Sequence, residues 1–302
     1  MDGELRERID AIGRVLHTGD IVSLMPDKPY IQTYYRLNRL TYTLFHTRTG
    51  LIHMGLSRDG TYKEDDLLEM ARMVAGYVSE GAAKNILELA TGRGANSLYL
   101  AKRFPNATFH GIDISETQLS LAFKHARKVK NYHPAFGDYH DLKRFNDATF
   151  DVVFILEALC YSTEKETVLR EVRRVLKGGG LFIVFDGYSN KEPQELTESE
   201  LMVQGLIEKG MAVAKFESYR SFIEKARPDF QVVYEEDLSD LVVPTMQRLE
   251  KMSRRFFSYP RIARIVSRIV PRAVVNNTVS AFLMPTAMKC GLGCYKLTVL
   301  RK

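Results

Sequence analysis

Asn85-Ile86-Leu87-Glu88-Leu89-Ala90-Thr91-Gly92-Arg93-Gly94-Ala95-Asn96-Ser97 is the stretch that decides the fold. Ile86, Leu87 and Leu89 read as a buried strand that runs into the turn Gly92-Arg93-Gly94 and opens a helix. Glycines let the backbone take positive φ and approach a ligand closely. The helix start offers free N–H groups and the positive end of its dipole. Glu88, on the strand before the turn, is a poor neighbour for phosphate and suits a ligand with a cationic, hydrogen-bond-donating group such as an amino acid. A second strand, Ala107 to Asp113, ends in an acid 19 residues beyond Gly94. An acid at that place in a doubly wound sheet accepts hydrogen bonds from ribose hydroxyls.

Working outward, apolar runs at 85–90, 107–113, 131–137, 150–156 and 180–186 alternate with helical patterns at 95–104, 115–128 and 164–176. That interval predicts an α/β fold, a parallel sheet with helices on both faces. Phe230 to Asp237 reads as a sixth strand and Tyr295 to Leu300 as a seventh, inserted antiparallel. Lys177-Gly178-Gly179-Gly180 reads as a helix C-cap leading into the fifth strand. The expected segments are an N-terminal helical cap (1–80), a Rossmann-like core (81–237) with a helical insertion (188–228), a basic amphipathic lid (238–291) and a terminal strand (292–302).

With Glu88, the turn and Asp113 in hand, the chain resembles the class I S-adenosylmethionine-dependent methyltransferases. The resemblance implies S-adenosyl-L-methionine as cofactor, held by Glu88, Ala90, Thr91, Gly92, Gly94 and Asn96 around the turn. It implies Asp113, Ile114 and Gln118 near the ribose, and Gly137, Asp138 and Tyr139 at the adenine. Ala90 replaces the first glycine of the family's acid-x-Gly-x-Gly-x-Gly pattern, a small departure. Leu156 ends the fourth strand, and the loop Glu157 to Tyr161 faces the methyl group in such enzymes. Relatives often carry histidine where Tyr161 stands, so Tyr161 falls to hydrogen bonding or cation–π support. Glu157 and His46, and beside it His53, remain the candidate bases. Tyr34 and Tyr35 resemble the segment that closes over the donor, where an aromatic face toward a sulfonium contributes about 0.5–2 kcal/mol.

Composition bounds the rest. Hydrophobic and charged fractions of 45% and 26% are those of a soluble globular protein. The charged N-terminus lacks the apolar region of a signal peptide, and Cys160, Cys290 and Cys294 form no disulfide framework, so the expectation is cytoplasmic. No His/Cys cluster has zinc spacing, and no metal is expected. The net charge of +6 is local: residues 248–272 hold eight bases and the single acid Glu250. There Ile262, Ile265, Val266 and Ile269 fall at helical spacing, with Arg261, Arg264, Arg268 and Arg272 on another sector and Ser258 as N-cap. Three readings stand: a solvated lid, a peripheral contact with an anionic membrane, and a grip on an anionic substrate such as a prenyl diphosphate. Without a nucleic-acid-binding motif, that partner is not expected.

Residues 20–60 and the lid resemble sterol, tocopherol and terpenoid methyltransferases. The expected function is methyl transfer to a hydrophobic small molecule, with C-methylation of an isoprenoid-like or sterol-like acceptor favoured. O- or N-methylation of a polyketide or alkaloid-type product is the alternative. From other classes, a NAD-dependent oxidoreductase would want Gly or Ala at Ser97, and a non-catalytic adenosylmethionine-binding protein would keep the fold without turnover.

Overall fold

A computed structural model describes residues 2–47 and 49–302. Its frame is a seven-stranded sheet: β1 (Asn85–Leu89), β2 (Thr108–Asp113), β3 (Tyr132–Phe136), β4 (Phe150–Leu156), β5 (Leu176–Ser189), β6 (Gln231–Asp237) and β7 (Gly293–Arg301). The order is β3-β2-β1-β4-β5-β7-β6, with β7 antiparallel to both neighbours and the other pairs parallel. The expected α/β sheet and its antiparallel last strand are both present. β1 and β4 lie at its centre and are buried along most of their length, as parallel strands covered on both faces must be.

Helices α1 (Asp2–Gly13), α2 (Thr18–Val22) and α3 (Lys28–Thr41) precede the sheet. α4 (Glu69–Glu80), α5 (Ala95–Arg103), α6 (Glu116–Ala126) and α7 (Lys165–Val175) cover it. α8 (Glu198–Gly210) and α9 (Tyr219–Ala226) lie between β5 and β6; α10 (Ser239–Ser258), α11 (Pro260–Ile269) and α12 (Arg272–Lys289) lie between β6 and β7. α12 packs against α8, α10, α1 and α3, so the inserted and N-terminal helices form one roof over the sheet's carboxyl edge. The order reverses between β1 and β4, and a crevice opens at the carboxyl ends of strands at such a switch point.

Two local expectations are corrected. Lys177 to Gly180 is strand, not cap: β5 starts at Leu176, opposite Phe150, and its register shifts before Val152 pairs with Leu181, with Gly179 at φ +78°. Ser258 does not cap α11. It ends α10 and its hydroxyl donates back to the Arg254 carbonyl; the break falls at Tyr259, which Pro260 forces out of helical geometry (φ −122°, ψ 71°). Beyond Thr41, α3 widens into a π-turn over Tyr42–His46, and Tyr42, Phe45 and His46 line the crevice.

Candidate functional site

The turn after β1 is built to be open on one side. Ala90, Gly92 and Gly94 all take positive φ (52°, 56° and 75°). Ala90 therefore bears the strain that a glycine avoids at the place where the family pattern has one. A side chain on Gly92 would meet nothing within 4 Å, whereas one on Gly94 would fall 2.4 Å from the Tyr132 hydroxyl. Glu88 is already engaged: its Oε2 accepts from Thr91 Oγ1 (2.5 Å) and Ser97 Oγ (2.6 Å), and its Oε1 from Asn96 Nδ2 (3.2 Å). Burial raises its pKa against those three bonds. The carboxylate braces the turn first and has acceptor capacity left only on Oε1.

Asp113 closes the same turn. Its Oδ2 accepts from Gly92 N (2.9 Å) and its Oδ1 from Ser115 N (2.7 Å). Burial raises its pKa to about 6, opposed by both bonds. Gln118 faces Arg93, whose Nε donates to its Oε1 (3.0 Å), while Gln118 Nε2 is buried with no partner among the described residues. After β3, Asp138 accepts from His140 N and Nδ1 and from Lys28 Nζ (2.5 Å). Burial pushes its pKa up, but the His140 and Lys28 bonds outweigh it and hold the carboxyl well below its usual range. Gln32 of α3 donates to the Ile114 carbonyl (2.8 Å), so α3 lies across this end of the site. Tyr139 donates to the Ala158 carbonyl, with its ring 4.6 Å from that of His140.

The other end is aromatic and acidic. Glu157 sits at φ +51° just past Leu156, and its Oε1 accepts from Met54 N and the Tyr295 hydroxyl, both at 2.8 Å. No partner among the described residues holds its Oε2. Burial raises its pKa to about 7, against those two donors and with Asp186 adding to the rise. The Tyr35 hydroxyl donates to that of Tyr161 (2.9 Å), which donates to the Met211 carbonyl (3.2 Å). Burial lifts the Tyr161 pKa far up, so this residue is a hydrogen-bonded ring and not a base. Tyr34 ties α3 to the roof through Asn277 Oδ1 (2.8 Å). His46 is buried, with Nε2 on the His53 carbonyl (3.0 Å), and burial lowers its pKa to about 4. An imidazole with that pKa is a weak base near neutrality.

Both ends open into one chamber of about 1010 Å³, walled on the far side by Met246, Phe256, Val274, Met284 and Leu292. That is the upper end of small-molecule sites, with room for a donor and an acceptor together. Among the lining residues that escaped the sequence reading are Arg93, Asp186, Lys28 and Tyr295. Arg93 and Asp186 carried a signal: the first stands between the two turn glycines, and the second ends the fifth strand as read from the sequence (180–186), although β5 itself continues to Ser189. Lys28 and Tyr295 carried none.

Residues 80–248 match the family model of the methyltransferase domain. The chain belongs to the S-adenosylmethionine-dependent methyltransferase family. That sets aside the oxidoreductase reading and bears out the expected donor. Over 142 residues the chain is 35% identical to the sterol methyltransferase-like 3 protein of Botryococcus braunii, covering 45% of this chain and only 36% of that one. It is 26% identical over 260 residues to the 24-methylenesterol C-methyltransferase 2 of Arabidopsis thaliana, covering 83% and 70%. Among solved structures, the cyclopropane synthase MmaA2 of Mycobacterium tuberculosis superposes with a TM-score of 0.76 at 13% identity, over 93% of this chain and 100% of that one. At that identity the likeness concerns the fold.

Proposed function

We propose that this chain transfers a methyl group from S-adenosylmethionine to a carbon of a hydrophobic, isoprenoid-like or sterol-like acceptor, and that Glu157 receives the proton the acceptor loses. The single observation carrying this reading is Glu157 itself: a carboxylate whose pKa burial raises to about 7, with an oxygen that makes no hydrogen bond among the described residues, facing the chamber.

The residues at the β1–β3 end fit the donor. Gly92 leaves open space where a side chain would stand, Gln118 Nε2 is an orphaned donor, and Asp113 has a spare lone pair on each oxygen. When bound, the donor supplies a methyl group on a positively charged sulfur, already activated for displacement. The chain's task is then to align the acceptor and exclude water. Transfer to an alkene carbon, with the electrons of the broken sulfur–methyl bond staying on sulfur, would leave positive charge on the neighbouring acceptor carbon. The rings of Tyr35, Tyr42 and Tyr161 favour such a cation. Glu157 takes a proton from the adjacent carbon, and the alkene re-forms.

Charge also discriminates between acceptors. The chamber lining holds seven acids and three bases, Lys28, Arg93 and Arg255. Lys28 is bound to Asp138 and Arg93 to three neutral acceptors. That lining suits a developing cation and works against a diphosphate. O- or N-methylation would draw on His46 as base, which its lowered pKa disfavours. Among the described residues no helix is long and apolar enough to cross a membrane; we read the site of action as the cytoplasmic face of a membrane, with 248–272 in contact with it.

The test is incubation with labelled donor and a lipid extract, followed by identification of the labelled product. A polar product methylated on oxygen or nitrogen would overturn the acceptor assignment. Calorimetry with Asp113→Ala tests the donor site: affinity should fall at least about tenfold, as loss of hydrogen bonds from a charged group implies. Unchanged affinity would sink the ribose assignment. In the unaltered chain, donor affinity should weaken as pH drops through about 6, where Asp113 becomes protonated.

A further inference from the structure

Among the described residues fourteen large hydrophobic side chains are exposed, and nine of them come from two segments. One is α11 with its approach: Met252, Tyr259, Ile262, Ile265 and Ile269, the isoleucines 60–79% exposed. In α11 only Ala263 is buried, so the apolar stripe that would normally face a core faces outward. The other is the end of α3 and the π-turn: Leu37, Leu40, Leu44 and Phe45, with Leu40 and Leu44 at 66% and 65%. Leu37, Leu40 and Leu44 repeat the spacing of Ile262, Ile265 and Ile269, which puts each trio on one side of its helix.

Both segments reach the chamber's rim. Asn38 Nδ2 donates to the Ala273 carbonyl (3.4 Å), four residues beyond Ile269. Phe45 from the first segment, and Met252, Val266 and Val270 from the second, line the chamber. Their charge is one-sided. Neither Lys28–His46 nor Pro260–Ile269 contains an acid. Arg36, Arg39, Arg255, Arg261, Arg268 and Arg272 have no carboxylate partner among the described residues. A second copy of this chain would bring the same positive charge against itself, whereas an anionic surface complements it.

We infer that residues 36–45 and α11 together form one docking face for an anionic lipid bilayer, with the chamber's mouth between them. Isoleucine and leucine side chains enter the acyl boundary, the arginines meet headgroup phosphates and carboxylates, and an apolar acceptor passes into the chamber without crossing water. The acceptor's route rests on the function proposed above. The docking face does not, because it needs neither donor nor acceptor to be observed.

The test uses the full chain and vesicles of phosphatidylcholine with or without phosphatidylserine. Co-sedimentation should occur with the anionic vesicles and weaken with salt. Ile265→Ser with Ile269→Ser, and separately Leu40→Ser with Leu44→Ser, should each lower the binding constant at least about tenfold. Since these side chains are exposed, melting temperatures should hold. The chain has no tryptophan, so Ile265→Trp and Leu44→Trp provide a second readout: each should shift its emission to the blue on anionic vesicles. Binding to neutral vesicles alone, a silent Leu44→Trp, or a stable dimer that buries both stripes would overturn the inference. Loss of methyl transfer with intact vesicle binding would overturn the function proposed above and leave the docking face standing.

Discussion

Replacing Glu157 with glutamine isolates what burial has done to this carboxyl. The amide keeps an oxygen for Met54 N and the Tyr295 hydroxyl and removes only the charge. Glu157 titrates at about 7 in the folded chain, against an ordinary 4.5. Between those values the native state holds a proton that the unfolded state has released, so stability falls as pH rises through this window. At 1.36 kcal/mol per pH unit, the ionised form costs at most about 3 kcal/mol above pH 7. Glu157→Gln should therefore match the parent chain near pH 4.5 and be more stable by up to about 3 kcal/mol at pH 8. Denaturant unfolding at the two pH values measures the difference directly. Donor affinity should be unaffected, because Glu157 lies at the other end of the chamber. Turnover should drop by about 10²–10⁴, the usual range for loss of a general base. A stability gap that does not change with pH would refute the raised pKa. Full turnover in the glutamine variant would refute the proton's destination.

Two further outcomes test the donor end. Gly94→Ala would set a methyl group 2.4 Å from the Tyr132 hydroxyl at φ +75° and should lower stability by about 1–3 kcal/mol, read as a lower melting temperature. Gly92→Ala, at φ +56° with open space beside it, should cost roughly 1 kcal/mol and act mainly on donor affinity. Equal melting temperatures for the two would contradict the packing described for Gly94. Arg93 reaches Gln118, Thr43 Oγ1 and the Arg39 carbonyl, pinning α3 to the donor turn. Arg93→Met should reduce hydrogen-exchange protection of amides 28–46 by about tenfold, and lysine should not restore it, since one ammonium cannot span the three acceptors. Unchanged exchange would mean that α3 is held by other contacts.

What could be read from the residues, and what could not, follows from the range of the interactions involved. β1 and β4 declare themselves because a strand covered on both faces must be apolar throughout. Asp113, Asp138 and Glu157 declare themselves because each follows a strand end where ligands gather. The same rule applied to Asp186 would have added it. Glu157's raised pKa, by contrast, depends on Met54, Tyr295 and Asp186, which lie 103, 138 and 29 positions away in the chain. No local pattern announces them. Lys28, which closes on Asp138 from 110 residues upstream, is hidden for the same reason.

The lid shows a different kind of limit. Ile262, Ile265, Val266 and Ile269 have the spacing of a helix with one apolar side, and that spacing is identical whether the side meets a core or water. Pro260 rightly signals a break, but an ordinary sequence reading puts the cap on Ser258 and says nothing about orientation. α10 packs on both α12 and α11, and of α11 Ala263 alone is buried. The isoleucines are left outward, with the arginines beside them. An apolar stripe that the fold leaves uncovered beside these arginines is the feature on which the docking face proposed above rests, and their charge complements an anionic bilayer.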